Sequence, residues 1–585
     1  MTITRLAWHA LKPDTDSFAE VFTTSETHSD DVDFSSLQPR LCYGLEQLHQ
    51  PAASSSWMLV KALEAPDYLT LITQLARQAA PAMGLENIGG RYVIEGQQIT
   101  LQPALSADDD FAPRGEVVSA DWIESEQLFG CVRQFGATLS LQPGLIHRAN
   151  GGTLVLALRS VLAQPLLWLR LKQMVTQRRF DWLPADESRP LPVAIPSLPL
   201  SLKVILVGDR ESLADFQEME SMLAEQAIYS EYEDTLQIDD DSDMTQWVGW
   251  VTASARASQL PVPAEDSWPV LIHEAVRYTG DRQTLPLCPV WLLRQLREVA
   301  AFTEDAQFTA AQLEEMLATR EWREGYLAER MQDEILLDQI LIETEGERVG
   351  QINALSVVEF PGHPRAFGEP SRISCVVHIG DGEFVDIERK AELGGNIHAK
   401  GMMIMQAFLM TELQLEQQIP FSASLTFEQS YSEVDGDSAS MAELCALISA
   451  LAEVPVSQNV AITGSVDQFG RAQPVGGLNE KIEGFFAVCD ARGLNGQQGV
   501  IVPAANVRHL CLQRNVLEAV KEEKFFIWAV EDVRDALPLL TTLPWDGEGE
   551  TTLLQAIQER IAQATQHDAR MRPWPLRWLN WFNHN

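Results

Sequence analysis

Ser438 stands in "VDGDSASMAELCALISALAEV", where an acidic, turn-forming run passes into an apolar stretch with helical spacing. A serine placed where a turn enters a helix has free backbone N–H groups and a favourable dipole beside it. Those features can hold an oxyanion, provided that a base takes the hydroxyl proton. The simpler role for serine at such a junction is an N-cap. Ser440 and Glu443 make an S-x-x-E capping box, which would leave Ser438 free for chemistry. The candidate base is Lys481 in "GRAQPVGGLNEKIEGFF", one of nine lysines against 34 arginines. It shares an apolar helical face with Ile482, Phe485 and Phe486, just after the turn-prone Gly476-Gly477. Burial there would disfavour the ammonium and lower its pKa, as a lysine base requires. A lysine that snorkels along apolar surface satisfies the same pattern. Taken singly, neither residue is assigned to catalysis.

Other catalytic patterns fail. "HEAVR" (273–277) begins like H-E-x-x-H, but Arg277 replaces the second histidine and no zinc pair forms. There is no G-x-S-x-G elbow and no S-x-x-K. No lysine follows a glycine, so a Walker A loop is absent as well. The acidic run "YSEYEDTLQIDDDSDMTQW" (229–247) lacks the glycine and spacing of an EF-hand and reads as a solvated loop. No metal site is expected.

The elements that must position these residues follow from the apolar patterning. "SWMLVKAL", "GTLVLAL" and "LKVILVGD" read as buried strands, and "DYLTLITQLARQAAP" and "SVLAQPLLWLRLKQMVTQ" as helices. That alternation predicts a parallel α/β sheet in the first half. Residues 244–345 read as helical, ending in a long charged connecting helix. Strands return at "ERVGQINALSVVEF", and "SRISCVVHIGDGEFVDIERK" (371–390) reads as a hairpin turning at "GDGE". A helix in "NIHAKGMMIMQAFLMTELQLEQ" follows, then the strands "NVAITGSV" and "QQGVIVP" around the glycine-rich run.

Composition bounds the class. A chain of 585 residues with 45% hydrophobic and 22% charged residues suits several folded domains. Its formal net charge of −40 opposes contact with nucleic-acid phosphates. The longest apolar stretch of the first half is broken by Arg159, Pro165 and Arg170, so no membrane span is expected. The N-terminus does not read as a secretory signal, and seven scattered cysteines without a C-x-x-C pair suit reduced thiols. A cytoplasmic location is the expectation.

Taken together, "DGDSAS" (435–440), "ITGSVDQFGRAQPVGGLNEKIEGF" (462–485) and "GVIVP" (499–503) resemble the proteolytic domain of Lon proteases, in the form with "GDSAS" where standard Lon has "GPSAG". "GQINALSVV" and "ELGGNIHAKGMMIMQAF" match the same group, so the resemblance covers roughly 346–540. It implies a Ser–Lys dyad, with Ser438 as nucleophile and Lys481 as general base. Thr463 falls where the family has a threonine bonded to the lysine. Asp435 falls where it has an acid near the dyad, a partner for Lys481 when the site is idle.

The first half resembles the family's AAA+ module more loosely. "PGLIHRANGGTLVLALRSVLAQPLLWLRLKQMV" (143–175) is similar to the run through Walker B, but Ala157 and Leu158 stand where its acidic pair belongs. "WMLVKALEAPDYLTL" (57–71) takes the Walker A place without its glycines, lysine or serine, and no arginine finger is found. Without these groups, phosphates lose their cradle and magnesium its anchor. The expected architecture is therefore α/β multidomain. A degenerate AAA+-like domain (1–243) and a helical subdomain (244–345) precede an α+β Lon-type protease domain (346–540). A C-terminal helix and aromatic tail (541–585) complete the chain.

The resemblance implies a homohexameric endopeptidase acting on unfolded or partner-delivered polypeptides, with no cofactor and with ATP binding lost. The alternative is a regulatory or binding scaffold whose protease site is kept closed until a partner activates it. The tail "RMRPWPLRWLNWF", with Trp574, Trp578, Trp581 and Phe582, is left to pack on its own domain, on another protein or on a membrane surface.

Overall fold

The structure is a computed structural model that describes residues 4–24, 34–50, 53–80, 88–136, 138–184, 188, 190–414, 419–430, 434–548 and 551–571. The aromatic tail with Trp574, Trp578, Trp581 and Phe582 lies outside the described residues. The chain divides into two compact units. One comprises Val21–Pro263 with Pro286–Phe308, and the other Met1–Glu20, Ala264–Leu285 and Thr309–Asn585.

The first unit is built on a five-stranded sheet. Its strands are β1 (Trp57–Lys61), followed by helix α1 (Pro66–Ala79), β2 (Val117–Ala120) and β3 (Thr153–Ala157). Helix α2 (Pro165–Gln177), β4 (Lys203–Gly208) and β5 (Ile228–Glu231) follow. The spatial order is β5-β1-β4-β3-β2, and every pair is parallel. Apart from Lys61, Thr153 and Lys203 at their ends, β1, β3 and β4 are continuous apolar runs because both faces are buried, as parallel sheets covered by helices require. The expected single helix over 160–177 is two, Leu158–Leu162 and α2. Pro165 cannot donate to the preceding turn, so it restarts the helix at its first position.

The acidic run after β5 does not stay a loop. Asp240 caps α3 (Asp241–Ala257), accepting hydrogen bonds from the Ser242 and Asp243 amides, so part of that acidity serves a helix start. Among the described residues no group of three or more His, Cys, Asp or Glu side chains is placed to hold a metal. The helical stretch is shared between the units: α4 (Trp268–Thr279) belongs to the second and α5 (Pro289–Val299) to the first. The connecting helix is broken at Gly325 into α6 (Ala310–Glu324) and α7 (Tyr326–Leu336).

The second unit holds an eight-stranded mixed sheet. In chain order its parts are β6 (Gln351–Val358), β7 (Phe367–Ile379), β8 (Phe384–Asp386), α8 (Asn396–Leu413), β9 (Phe421–Phe427) and α9 (Ser440–Ala452). There follow β10 (Val460–Ile462), the short β11 (Ser465–Val466) and β12 (Ala472–Gln473), α10 (Leu478–Arg492), β13 (Gly499–Pro503) and β14 (Phe526–Val530). From the two-residue strand Thr4–Arg5 the order runs β14-β13-β10-β6-β7-β9-β8. The expected hairpin at "GDGE" does not form. β9 lies between the two arms, antiparallel to β7 over Phe421–Phe427 and parallel to β8. Its alternating Phe421, Ala423, Leu425 and Phe427 are buried, so the long β9 ladder completes the core where the three-residue β8 could not.

Helix α9, which follows Ser438, and helix α10, which carries Lys481, lie on opposite faces of this sheet. Ile462 and Ile501 point into the core with Met441, Leu444 and Ile448 of α9. Their neighbours Ala461, Val500 and Val502 point the other way, into the core with Ile482, Phe485 and Phe486 of α10. Helix α10 approaches the sheet closely because Gly368 of β7 and Gly484 of α10 have no side chains: a Cβ on either would collide with the other element's backbone. We expect Gly368→Ala to lower stability by about 1–3 kcal/mol, because backbone cannot yield as a flexible side chain does. Unfolding midpoints equal to those of the parent chain would show that α10 can slide to make room.

Candidate active site

Ser438 lies in the turn that leads into α9, Thr463 directly follows β10, and Lys481 is in the first turn of α10. Both helices therefore start beside the carboxyl end of β10, and there the two sides of the sheet meet. Lys481 Nζ donates to Ser438 Oγ at 3.1 Å and to Thr463 Oγ1 at 3.4 Å. The backbone fixes the serine from the strand side: Gly464 N–H donates to the Ser438 carbonyl at 3.0 Å, and Met441 N–H to the Gly464 carbonyl at 3.1 Å. Gly477, at φ +62°, holds the left-handed turn from which α10 starts, and a Cβ there would strike Val357.

Lys481 is 3% exposed and Thr463 is fully buried. Burial pulls the Lys481 amine down to about 8, against the opposing pull of the Asp437 and Glu480 carboxylates. A substantial fraction of neutral amine near neutral pH makes it a proton acceptor for the hydroxyl 3.1 Å away. Ser438 is half-buried.

Asp435 is exposed and forms no ion pair with Lys481 among the described residues. The motif acid whose charge reaches the lysine, beside Glu480 of its own helix, is Asp437, itself held by a 2.9 Å hydrogen bond from Ser465 Oγ. Sequence reading passed over Asp437 and Ser465. The motif contained both acids, and spacing alone did not say which side of the turn faces the lysine.

The capping box is not made. The N-cap is Ala439, without a side-chain hydrogen bond, and Ser440 Oγ instead accepts from the Val466 amide at 3.1 Å. Glu443 points into the core toward His398, whose Nδ1 is 3.8 Å from Glu443 Oε1 and whose Nε2 is 3.1 Å from Asp386 Oδ2. A buried polar partner outcompetes the cap because an unpaired charge inside the core costs more than an open helix end.

In the first unit, only four residues, Ala62–Ala65, join β1 to α1 in the place the resemblance gives to Walker A. Glu64 Oε2 accepts a hydrogen bond from the Arg159 amide at 3.0 Å, and the Arg159 guanidinium lies 3.6 Å from Asp209. At the same end of β1, Asp234 binds Lys61 Nζ at 3.1 Å and Tyr68 Oη at 2.8 Å. Side-chain carboxylates thus take the donors of this region. Ala157 ends β3, and Leu158 is buried.

Among the described residues no helix is long and apolar enough to cross a membrane. Comparison with known proteins gives two family matches. Residues 115–226 match a LonB-like AAA domain, and residues 431–541 match the Lon protease (S16) C-terminal proteolytic domain. A Lon protease homolog of Escherichia coli (strain K12) is 69% identical over 584 residues, covering 100% of both chains. One of Haemophilus influenzae is 42% identical over 92% of this chain and 89% of its own. An archaeal Lon protease of Pyrococcus abyssi is 26% identical over 74% of this chain and 42% of its own.

The depressed lysine has a stability consequence. Its folded pKa, about 8, lies below the ordinary 10.5, so between those values the unfolded chain holds more protons and stability rises with pH. Below that window the desolvated ammonium costs up to about 3 kcal/mol. We expect Lys481→Met to raise the unfolding midpoint of this unit, and to do so more at pH 7 than at pH 10. An equal effect at both pH values would mean that the amine is solvated.

Proposed function

The chain belongs to the Lon protease family, and on that premise we propose that it is a serine endopeptidase working through a Ser438–Lys481 dyad without ATP hydrolysis. The observation that carries this reading is the 3.1 Å contact between Lys481 Nζ and Ser438 Oγ inside an apolar site that keeps the amine deprotonatable. Neutral Lys481 takes the Ser438 proton as Oγ attacks the scissile carbonyl carbon. The resulting oxyanion is held by amides of the turn before α9, since the Ser440 and Met441 N–H groups already donate to Asp437 and Gly464 carbonyls. Collapse of the tetrahedral intermediate expels the amine, which takes its proton from the Lys481 ammonium and leaves an ester on Ser438. Water, deprotonated by Lys481, then cleaves that ester. Thr463 aims the amine, and Asp437 rather than Asp435 is the acid that steadies its charged form.

Loss of nucleotide hydrolysis is supported by Ala157 and Leu158 in place of an acidic pair, by the four-residue β1–α1 connection and by Glu64, which already takes the Arg159 amide. Such an enzyme takes polypeptides that are unfolded or are delivered by a partner. A homohexamer in the cytoplasm is the assembly and setting we propose, with light scattering in solution as the check on the former. A scaffold whose intact dyad is kept closed is less favoured, because Asp435, the acid that would hold Lys481 idle, is exposed and makes no ion pair with it among the described residues.

The purified chain is expected to cleave an unfolded protein such as casein in the absence of nucleotide, with no change on adding ATP and magnesium. Ser438→Ala and Lys481→Ala should each reduce cleavage by at least 10³-fold, and Thr463→Val by roughly ten-fold. Cleavage that survives either dyad substitution refutes the assignment. The kcat/KM profile should rise with pH through about 8, as Lys481 loses its proton. A profile flat across that range would mean that another group is the base.

A further inference from the structure

The run "HEAVR" makes no metal site, yet its two basic residues are both committed. His273 and Arg277 lie one turn apart on α4 and reach the same patch of the second unit. Arg277 Nη1 and Nη2 bind Glu483 Oε1 and Oε2 at 2.6 and 3.0 Å, a bidentate pair 21% and 12% exposed. Arg277 Nη1 also donates to the Cys511 carbonyl at 2.7 Å, and His273 Nε2 to the Leu512 carbonyl at 2.9 Å. Glu483 further accepts the Gln513 amide at 2.9 Å. Beyond α4, Arg508 pairs with Asp281, and Arg282 Nη1 donates to the Ala10 carbonyl at 2.8 Å. Segment 264–285 is thus fastened by polar bonds, and its strongest fastening grips α10 two residues beyond Lys481. On the opposite side, α10 rests on β7 through Gly368 and Gly484 and packs Ile482, Phe485 and Phe486 against the sheet.

We propose that Arg277 is a positioning residue for the base: its two bonds to Glu483 fix α10 so that Lys481 Nζ stays within reach of Ser438 Oγ. This rests on the dyad reading above. The physical reason is leverage. Apolar packing is non-directional, whereas a bidentate ion pair fixes both distance and orientation, and proton transfer tolerates little displacement of the amine. Groups of either charge near the amine are Asp437 and Glu480, and neither touches Arg277.

The test uses the full chain with Arg277→Met, Arg277→Lys, Glu483→Gln and, as control, Ser438→Ala. Casein-peptide turnover is read as kcat and KM. The rate of Ser438 phosphonylation by a fluorophosphonate is followed from pH 6 to 10 by intact mass. Arg277→Met should lower kcat by about 10- to 100-fold with KM within two-fold, and should move the rise in labelling rate to higher pH as Lys481 hydrates. Arg277→Lys should recover part of both. A purely structural weld would lower thermal stability and leave the labelling profile in place, and that result overturns the proposal. If Arg277→Met does not fold, Glu483→Gln is judged by the same two readouts, since it keeps an acceptor for Gln513. Unchanged kcat and profile in a folded variant, with Ser438→Ala inactive, refute the positioning role alone. Activity persisting in Ser438→Ala removes both readings.

Discussion

Lys481 reaches Ser438 from a helix on the other side of the sheet, and it does so with its amine almost fully withdrawn from water. That desolvation is the constraint on which the C-terminal unit depends. A lysine left at the surface would stay protonated and could not accept a proton, and one buried without partners would destabilise the fold. The site resolves this by giving the amine two hydroxyl neighbours, Ser438 and Thr463, and two nearby acids, Glu480 and Asp437, the latter's carboxylate occupied by Ser465. The neutral form is accessible while the charged form keeps some support.

The sheet makes that arrangement reachable. Residues of β10 and β13 alternate between two cores, one formed with α9 and one with α10, so the two helices cannot touch across the sheet. They meet only where a strand stops. β10 is three residues long, and the chain leaves it at Thr463-Gly464, opening a gap at the strand's carboxyl end. Helix starts converge there with their unfilled N–H groups and dipoles, the same physics that places ligands at strand ends in open α/β sheets. The short strand is therefore as important to the geometry as either side chain.

The first unit keeps a parallel α/β sheet, while Ala157 and Leu158 stand where the resemblance places an acidic pair and no G-x-x-x-x-G-K-S/T run is present. Its parallel sheet needs only continuous apolar strands and covering helices, and β1, β3 and β4 supply these. Phosphate binding needs a glycine-rich loop and a lysine, a local requirement independent of the core. Glu64 and Asp234 occupy donors in that region instead. A core and a site can part company because they draw on different residues.

The sequence alone determined strands β1, β3 and β4 of the first sheet and β6, β7, β10 and β13 of the second, a helix starting at Asn396, and a set of motifs in register that bring Ser438, Lys481 and Thr463 forward together. These are local or motif-borne properties, fixed by periodicity and by residue identity. Tertiary structure alone decided which strand lies beside which, and so replaced the expected "GDGE" hairpin with the insertion of β9. It also decided that Ser440 bonds to Val466 and Glu443 turns to His398, leaving the helix start without the cap that their spacing suggested. Likewise it set Asp437, not Asp435, toward the lysine, and gave His273 and Arg277 a partner in Glu483 and its neighbouring loop. Each of these depends on groups far apart in the chain competing for the same hydrogen bonds. Spacing encodes the local competitor, and only the folded chain reveals the distant one that wins.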